Sequence, residues 1–363
     1  MSFPTWLPLR ENLQGLSPYG APQIENMTQL NTNENPYPPS PALIAAITDR
    51  LSQVALRLNR YPDRDASELR TGLAEFLNGL SGSALNLENI WAANGSNEVI
   101  QSLFLAFGSK GAIGFTPSYS MHPTIAKVTG TTWTDGLREE DFSIDIEKAQ
   151  IQIKNVRPSL IFVTTPNNPT GTSARFQDLV DLAQAAALVG ALLVVDEAYA
   201  EFSQDPSALK LLNHQPHVVV VRTMSKAFAF AGARVGYLAA HPEVVKAMLI
   251  VRLPYHLSAV TQAIALVALE HREESLATVA ILIKSREAMV ASLKVLGVEV
   301  VPSSANFLLF KVPSPKIIWQ SLLDQGVLIR DVGLSDYLRV SIGNEAENER
   351  FIAALKQSLG GAK

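Results

Sequence analysis

Residues 160–171 read LIFVTTPNNPTG, residues 191–199 read ALLVVDEAY, and residues 217–226 read HVVVVRTMSK. Each stretch opens as a short apolar, β-branched run without polar alternation and closes on a cluster of polar groups. Runs of this kind predict strands buried on both faces, the pattern of a parallel sheet. They place strands at Leu160–Thr164, Ala191–Val195 and His217–Arg222. Working outward, Ile90–Ala93, Ala112–Thr116 and Arg234–Ala239 read as further strands, with helices at Glu98–Phe107 and Phe176–Val189 between some of them. This alternation predicts an α/β structure, a mainly parallel sheet flanked by helices on both faces.

Beyond Pro254 the texture changes. Helices are predicted over Ser258–Glu270 and Glu274–Leu296, short strands at Val298–Val301, Asn306–Lys311, Val327–Arg330 and Leu338–Ile342, and a last helix near Glu345–Leu359. That is a smaller α+β lobe. The first forty residues are rich in Pro, Asn and Tyr and end in Asn33-Glu34-Asn35-Pro36-Tyr37-Pro38-Pro39, where the prolines exclude both a helix and a central strand. The chain therefore divides into an extended arm (1–40), a large domain (41–255) and a small domain (256–363). Neither an internal repeat nor a low-complexity linker separates the lobes, so they are expected to pack together.

Composition narrows the function. Of 363 residues 47% are apolar and 18% charged, which excludes a disordered, collagenous or coiled-coil chain. A net charge of −4 without a long basic run gives no electrostatic footprint for nucleic acid, so a small ligand is expected. Cysteine is absent, which removes disulfides, thiolate metal sites and thiol nucleophiles. The six histidines lack ligand spacing, so no metal site is expected and they receive no role. The apolar stretch Ala185–Val195 is about half of what a membrane span needs, and residues 1–10 do not read as a secretion signal. A soluble, cytoplasmic protein is expected.

In sheets of this kind ligands sit beyond the carboxyl ends of the strands. Here those ends supply Asn168, then Asp196 and Tyr199, then Thr223, Ser225 and Lys226. Singly, each has an ordinary explanation: a turn, a helix cap, a solvated lysine. Together they place an amide, a carboxylate, a phenol and an amine on one rim. Asn94-Gly95-Ser96-Asn97 lies between a strand and a helix start, where backbone N–H groups and the positive helix end can cradle a phosphate. Gly-x-x-x-x-Gly-Lys-Ser/Thr is absent, which counts against a nucleotide triphosphatase.

Asn168-Pro169-Thr170-Gly171, Asp196-Glu197-Ala198-Tyr199 and Ser225-Lys226, with Arg234 eight residues beyond the lysine, resemble the fold-type I aminotransferases that use pyridoxal phosphate. The resemblance covers nearly the whole chain. Asn33–Tyr37, Asn59-Arg60-Tyr61-Pro62-Asp63, Pro117-Ser118-Tyr119, Thr223–Ala229 and Leu338-Arg339-Val340-Ser341 are similar to the histidinol-phosphate aminotransferase branch. The resemblance implies a small domain built from both chain ends and a Schiff base between Lys226 and the pyridoxal 5'-phosphate aldehyde, with Lys226 then acting as general base. It puts Asp196 against the pyridine nitrogen and Asn168 and Tyr199 on the phenolic oxygen. Gly95, Ser96, Asn97, Thr223, Ser225 and Arg234 would hold the phosphate end, and Tyr119 would stack on the ring. Tyr61 would reach the phosphate of the other subunit in a homodimer. Arg339 and Arg330 would anchor the substrate's anion, with Tyr19, Asn33 and Asn306 completing the pocket. Where many members of the branch carry an alanine and an acidic residue in the phosphate loop, this chain has Ser96 and Asn97, and backbone donors survive that change.

The expected reaction is transamination of L-histidinol phosphate with 2-oxoglutarate. Aromatic amino acid aminotransferases and a phosphothreonine decarboxylase share much of the motif set and remain as alternatives. The same fold also serves as the ligand-sensing part of transcription regulators, but the forty residues ahead of the cofactor domain are too short and too poor in Lys and Arg for a DNA-binding module.

Overall fold

A computed structural model describes residues 3–4, 6–18 and 20–361. The arm carries a 3-10 turn at Glu11–Leu13 and a two-residue strand, β1 (Thr28–Gln29), and leads into α1 (Pro41–Ala55) and α2 (Ser67–Ser81). The central part runs β2 (Ile90–Ala93), α3 (Ser96–Phe107), β3 (Ala112–Thr116), α4 (Met121–Thr129), β4 (Trp133–Leu137), α5 (Ile146–Val156) and β5 (Leu160–Thr164). It continues through α6 (Phe176–Val189), β6 (Leu192–Asp196), β7 (Val218–Thr223) and β8 (Gly236–Ala240). Then follow α7 (Pro242–Val251), α8 (Ala259–Glu270), the long α9 (Arg272–Val295), β9 (Phe307–Lys311), α10 (Pro315–Asp324), β10 (Val327–Leu328), β11 (Arg330–Asp331), β12 (Tyr337–Ser341) and α11 (Glu345–Gly361).

Seven strands form one sheet in the order β2-β8-β7-β6-β5-β3-β4. Strands β5, β6 and β7 are buried at every residue but Leu192, as contiguous apolar runs require. Helices cover both faces and bury two apolar layers, one around Leu179, Leu182 and Phe228, the other around Ile100, Leu103 and Phe162. All pairings are parallel except those of β8, which runs antiparallel to both β2 and β7. No α-helix lies between β7 and β8, so the chain turns back beside β7 without a crossover, and the segment 224–235 stays on the rim.

Several elements depart from the sequence reading. Strand β4 was not anticipated: Asp135 and Gly136 interrupt its apolar run, as suits a half-exposed edge. Asp196 is the last residue of β6 and not the first beyond it. Arg234 sits at φ 56°, in the left-handed region, so β8 begins two residues later than expected. The strand expected at Val298–Val301 reduces to one bridge, Val300 to Phe310. The strand expected at Val327–Arg330 splits around Ile329, with β10 pairing parallel to β1 and β11 pairing antiparallel to β12. The arm is therefore extended but not loose, since its one strand is hydrogen-bonded to the carboxyl-terminal part of the chain. Arg339 lies on β12, the central strand of the sheet β11-β12-β9, and is buried.

Candidate functional site

The carboxyl ends of β2, β3, β5, β6 and β7 face a cavity of about 480 Å³, closed on its other side by arm residues 31–34 and by Arg330, Asp331, Val332 and Arg339. Lys226 enters it from the segment after β7, and its Nζ donates to the Thr32 carbonyl at 2.9 Å. Burial, together with the charges of Arg339 and Arg234 and against the opposite pull of Glu34, lowers its amine to about 8. The neutral fraction near neutral pH is therefore larger than that of an ordinary lysine, as a nucleophilic amine requires.

Asp196 closes β6 with its carboxylate buried. Its Oδ1 accepts the Ala198 N–H at 3.2 Å, and its Oδ2 accepts from His122 Nε2 at 3.1 Å. His122, on the first turn of α4, is itself 2% exposed and packs against the ring of Phe162. The sequence reading gave it no role, yet it supports the carboxylate at the centre of the cavity. Its signal is its place three residues beyond Tyr119, the end of the Pro117-Ser118-Tyr119 loop that follows β3, at a helix start facing the same rim.

Asn168 links two functions. Its Nδ2 donates to Tyr199 Oη at 3.3 Å, while its Oδ1 accepts from Arg339 Nη1 at 2.6 Å. Asn33 Nδ2 donates to the same Tyr199 hydroxyl at 3.1 Å. Arg339 also donates from Nη2 to the Asn31 carbonyl at 2.7 Å and lies 5.2 Å from the centre of the Phe307 ring, against whose edge Tyr199 packs. Arg330 stands directly opposite Arg339 across the β11–β12 pair, so two guanidinium groups belong to neighbouring strands on one side of the cavity. Such a pair attracts a doubly charged anion.

The cradle forms at the start of α3. Gly95 has φ +87°, and a Cβ there would fall 2.5 Å from Arg234 Nη2; a Cβ on Gly236 would fall 2.1 Å from Ser96 N. Only glycine at both positions lets the helix start, the arginine and β8 converge. Ser96, Asn97, Thr223, Ser225 and Arg234 line the cavity together. Thr223 Oγ1 donates to Ser225 Oγ at 3.0 Å, and Tyr119 Oη donates to Asn97 Oδ1 at 3.2 Å.

Two predicted residues stand elsewhere. Asn306 lies behind Asn33, donating from Nδ2 to its carbonyl at 3.1 Å, and supports the cavity wall without lining it. Tyr61 is 80% exposed and stacks on Tyr255 with ring centres 4.4 Å apart, outside the cavity of its own chain. Tyr19 lies outside the described residues. No group of three or more His, Cys, Asp or Glu side chains able to hold a metal occurs among the described residues, and none of the described helices is long and apolar enough to cross a membrane.

The donor set fits pyridoxal phosphate: an anion cradle with a helix N-terminus and Arg234, a buried carboxylate for a protonated ring nitrogen, a phenol and amide for an anionic oxygen, and an enclosed amine for an aldehyde. Residues 25–355 match the family described as aminotransferase class I and II. The chain is 54% identical, over 96% of its length and 93% of the other, to a histidinol-phosphate aminotransferase from Mycobacterium sp. (strain JLS). It is 52% identical, over 98% of its length and 96% of the other, to the enzyme so named from Thermobifida fusca (strain YX). In fold it resembles the crystal structure of histidinol-phosphate aminotransferase from Sinorhizobium meliloti in complex with pyridoxal-5'-phosphate, with a TM-score of 0.87, 24% identity and 98% of each chain covered. A match over most of the chain, joined to a cavity with this donor set, places the protein in the class I and II aminotransferase family.

Proposed function

We propose that this protein is the pyridoxal-phosphate-dependent transaminase that moves the amino group of L-histidinol phosphate to 2-oxoglutarate, giving imidazole acetol phosphate and glutamate in histidine biosynthesis. The observation that carries this reading is the opposition of Lys226 and Asp196 to Arg339 and Arg330 across one cavity. An anionic group on the substrate, a phosphate or a carboxylate, is held at one end while its reacting carbon is held at the other.

When bound, pyridoxal phosphate supplies the carbonyl that receives the donor's nitrogen and an electron-poor ring that takes up the electron pair left at Cα. The remaining work falls to side chains. Lys226 would hold the cofactor through its partly neutral amine and, once released, its Nζ would carry the proton removed from the substrate Cα. Asp196, steadied by His122, would keep a negative charge available to a protonated ring nitrogen. Tyr199 and Asn168 would stabilise an anionic phenolic oxygen, and the helix start at Ser96 with Arg234 and Ser225 would hold the phosphate. Asn168, bonded to both Tyr199 and Arg339, ties the position of the substrate's anion to that of the reacting ring. Histidinol phosphate presents a phosphate and 2-oxoglutarate a carboxylate to the same guanidinium pair, which accepts either.

The working unit of this reading is a homodimer. Leu56, Leu58, Ile250 and Leu253, in the two segments that carry the Tyr61–Tyr255 stack, are each more than 60% exposed, and Arg252 ties these segments by its bonds to Arg64 and Asp65. An apolar surface of this kind, rimmed by polar groups, supports contact with a second copy, through which Tyr61 would reach the other subunit's cradle. Sedimentation of the active enzyme tests this, and an active monomer would remove it.

The substrate is tested on the holoenzyme with single donors and no keto acid. Histidinol phosphate should bleach the visible band of the lysine-linked cofactor at far lower concentration than phenylalanine or aspartate, and 2-oxoglutarate should restore it. Bleaching by an aromatic amino acid alone would keep the reaction and move the substrate. Absence of any visible band after loading would overturn the role of Lys226.

A further inference from the structure

The turn 197–202, which presents Tyr199 to the cavity, is fastened at both ends to one guanidinium. Arg222, near the end of β7, donates to Glu197 Oε2 from Nε at 3.1 Å and from Nη2 at 2.7 Å, and to Glu201 Oε1 from Nη1 at 3.0 Å. Glu197 and Glu201 stand two residues before and two after Tyr199. Ser207 Oγ accepts from Arg222 Nη2 at 3.0 Å and donates to Glu197 Oε2 at 2.7 Å, and Glu197 Oε1 accepts the Ala208 N–H at 2.6 Å. The side chains of Arg222, Glu197 and Glu201 are 3% exposed or less. Beyond the turn, Arg286 Nη1 bonds the Phe202 carbonyl at 3.4 Å and the Ala305 carbonyl at 2.9 Å, two residues before the Phe307 ring that borders Tyr199.

Stability alone is a weak account of this cluster. Buried ions lose hydration that their mutual attraction repays only in part, and apolar residues of similar volume commonly serve as well or better. Two carboxylates share one guanidinium here, while Glu201 Oε2 and the nearby Tyr237 hydroxyl are buried without a hydrogen-bond partner. Burial pushes the Glu201 carboxyl up, consistent with the excess of negative charge. What the arrangement supplies is geometry: a planar fork fixes two carboxylates relative to each other, and the phenol between them follows.

We propose that Arg222 is a positioning residue for the reaction: by holding Glu197 and Glu201 it fixes the Tyr199 hydroxyl against the phenolic oxygen of the bound cofactor and sets that oxygen's proton affinity. The proposal rests on the reading of Tyr199 given above.

The test is a spectrophotometric pH titration of the visible band of the holoenzyme. Tyr199→Phe takes a donor from an anionic oxygen, which then holds the shared proton more tightly, so the midpoint should rise by about one pH unit. Arg222→Lys keeps the charge but loses the fork, and should raise the midpoint by roughly half as much. In the Tyr199→Phe background Arg222→Lys should add almost nothing, because residues that act through one group are not additive. Glu201→Gln, nearly the same shape, gives a second arm should the lysine variant not fold, and its shift should vanish in the same background. Additive shifts, or a lower melting temperature with an unmoved midpoint, would overturn the proposal. If Tyr199→Phe itself leaves the midpoint in place, the assignment of Tyr199 fails and the role of Arg222 goes with it.

Discussion

The seven-stranded sheet and the three-stranded sheet contribute to the cavity in different ways. The large sheet presents one polar group per strand end, each fixed by a strand already buried in its own right: Asp196 ends β6, and Thr223 ends β7 just ahead of Ser225 and Lys226. The small sheet contributes Arg330 and Arg339 only in company with the arm, since Arg339 is held by the Asn31 carbonyl and Ser341 Oγ donates to Asn33 Oδ1 at 3.0 Å. On the proposed reading, chemistry rests on a scaffold of neighbouring strands, whereas recognition rests on contacts between distant parts of the chain. Changes on the first side should act on turnover, and changes on the second on binding.

The strongest challenge to this division is Lys226→Ala. Loss of the amine should abolish the visible lysine-linked band and lower kcat by about 10⁴-fold or more. A variant retaining a hundredth of the turnover would place the proton transfer elsewhere. On the recognition side, Arg339→Lys should raise KM for both histidinol phosphate and 2-oxoglutarate by about 30-fold, roughly 2 kcal/mol, since a point charge replaces a bidentate fork. If steady-state kinetics showed kcat falling instead, with KM unchanged, the two regions would not be separable in this way.

His122→Phe sharpens the comparison from within the large sheet. Removing the imidazole that supports Asp196 Oδ2 should lower kcat by about 10-fold and weaken cofactor retention, with KM for the donor nearly unchanged. Equilibrium dialysis of the cofactor alongside initial rates would check both parts. The smallest effect is a pH profile. Lys226 must lose a proton to bind the cofactor aldehyde, so the rate of loading onto the apo-protein should rise with pH and level off above about 8. Because the Arg339 charge helps to hold the amine down, Arg339→Met should move that profile to higher pH and slow loading at pH 7 by about threefold for each half unit. An unshifted profile would mean that Arg339 does not act on the lysine.

Sequence legibility follows the same line. Strands β5, β6 and β7 could be placed from their apolar runs because burial on both faces leaves no polar alternation, and the groups at their ends then follow from the architecture. His122 could not, since its value depends on a carboxylate 74 residues away being brought to 3.1 Å. Arg222 reads as the polar end of one strand and Glu197 as the start of the turn after the strand before it, and only the pairing of β6 with β7 shows that they meet. The split at Ile329 was likewise hidden, because β10 and β11 answer to different partners, one of them in the arm. Tyr61 was singled out by resemblance alone, and nothing in its local pattern distinguishes it from any exposed aromatic.

The pairing of β1 with β10 bears on how the molecule is made. Thr28 lies beside Val327, so about 300 residues must be synthesised before the arm has its strand partner. At a ribosomal rate of ~5–20 residues per second that is a wait of roughly 15–60 s. The seven-stranded sheet comes from the continuous stretch 90–240 and needs nothing from the last third of the chain to complete its pairing. During that interval residues 31–34, the roof over Asp196 and Lys226, have their contacts with Lys226 and Tyr199 but lack those from Arg339 and Ser341, so a nascent chain halted before β12 would carry the lysine without the arginine proposed to select its substrate.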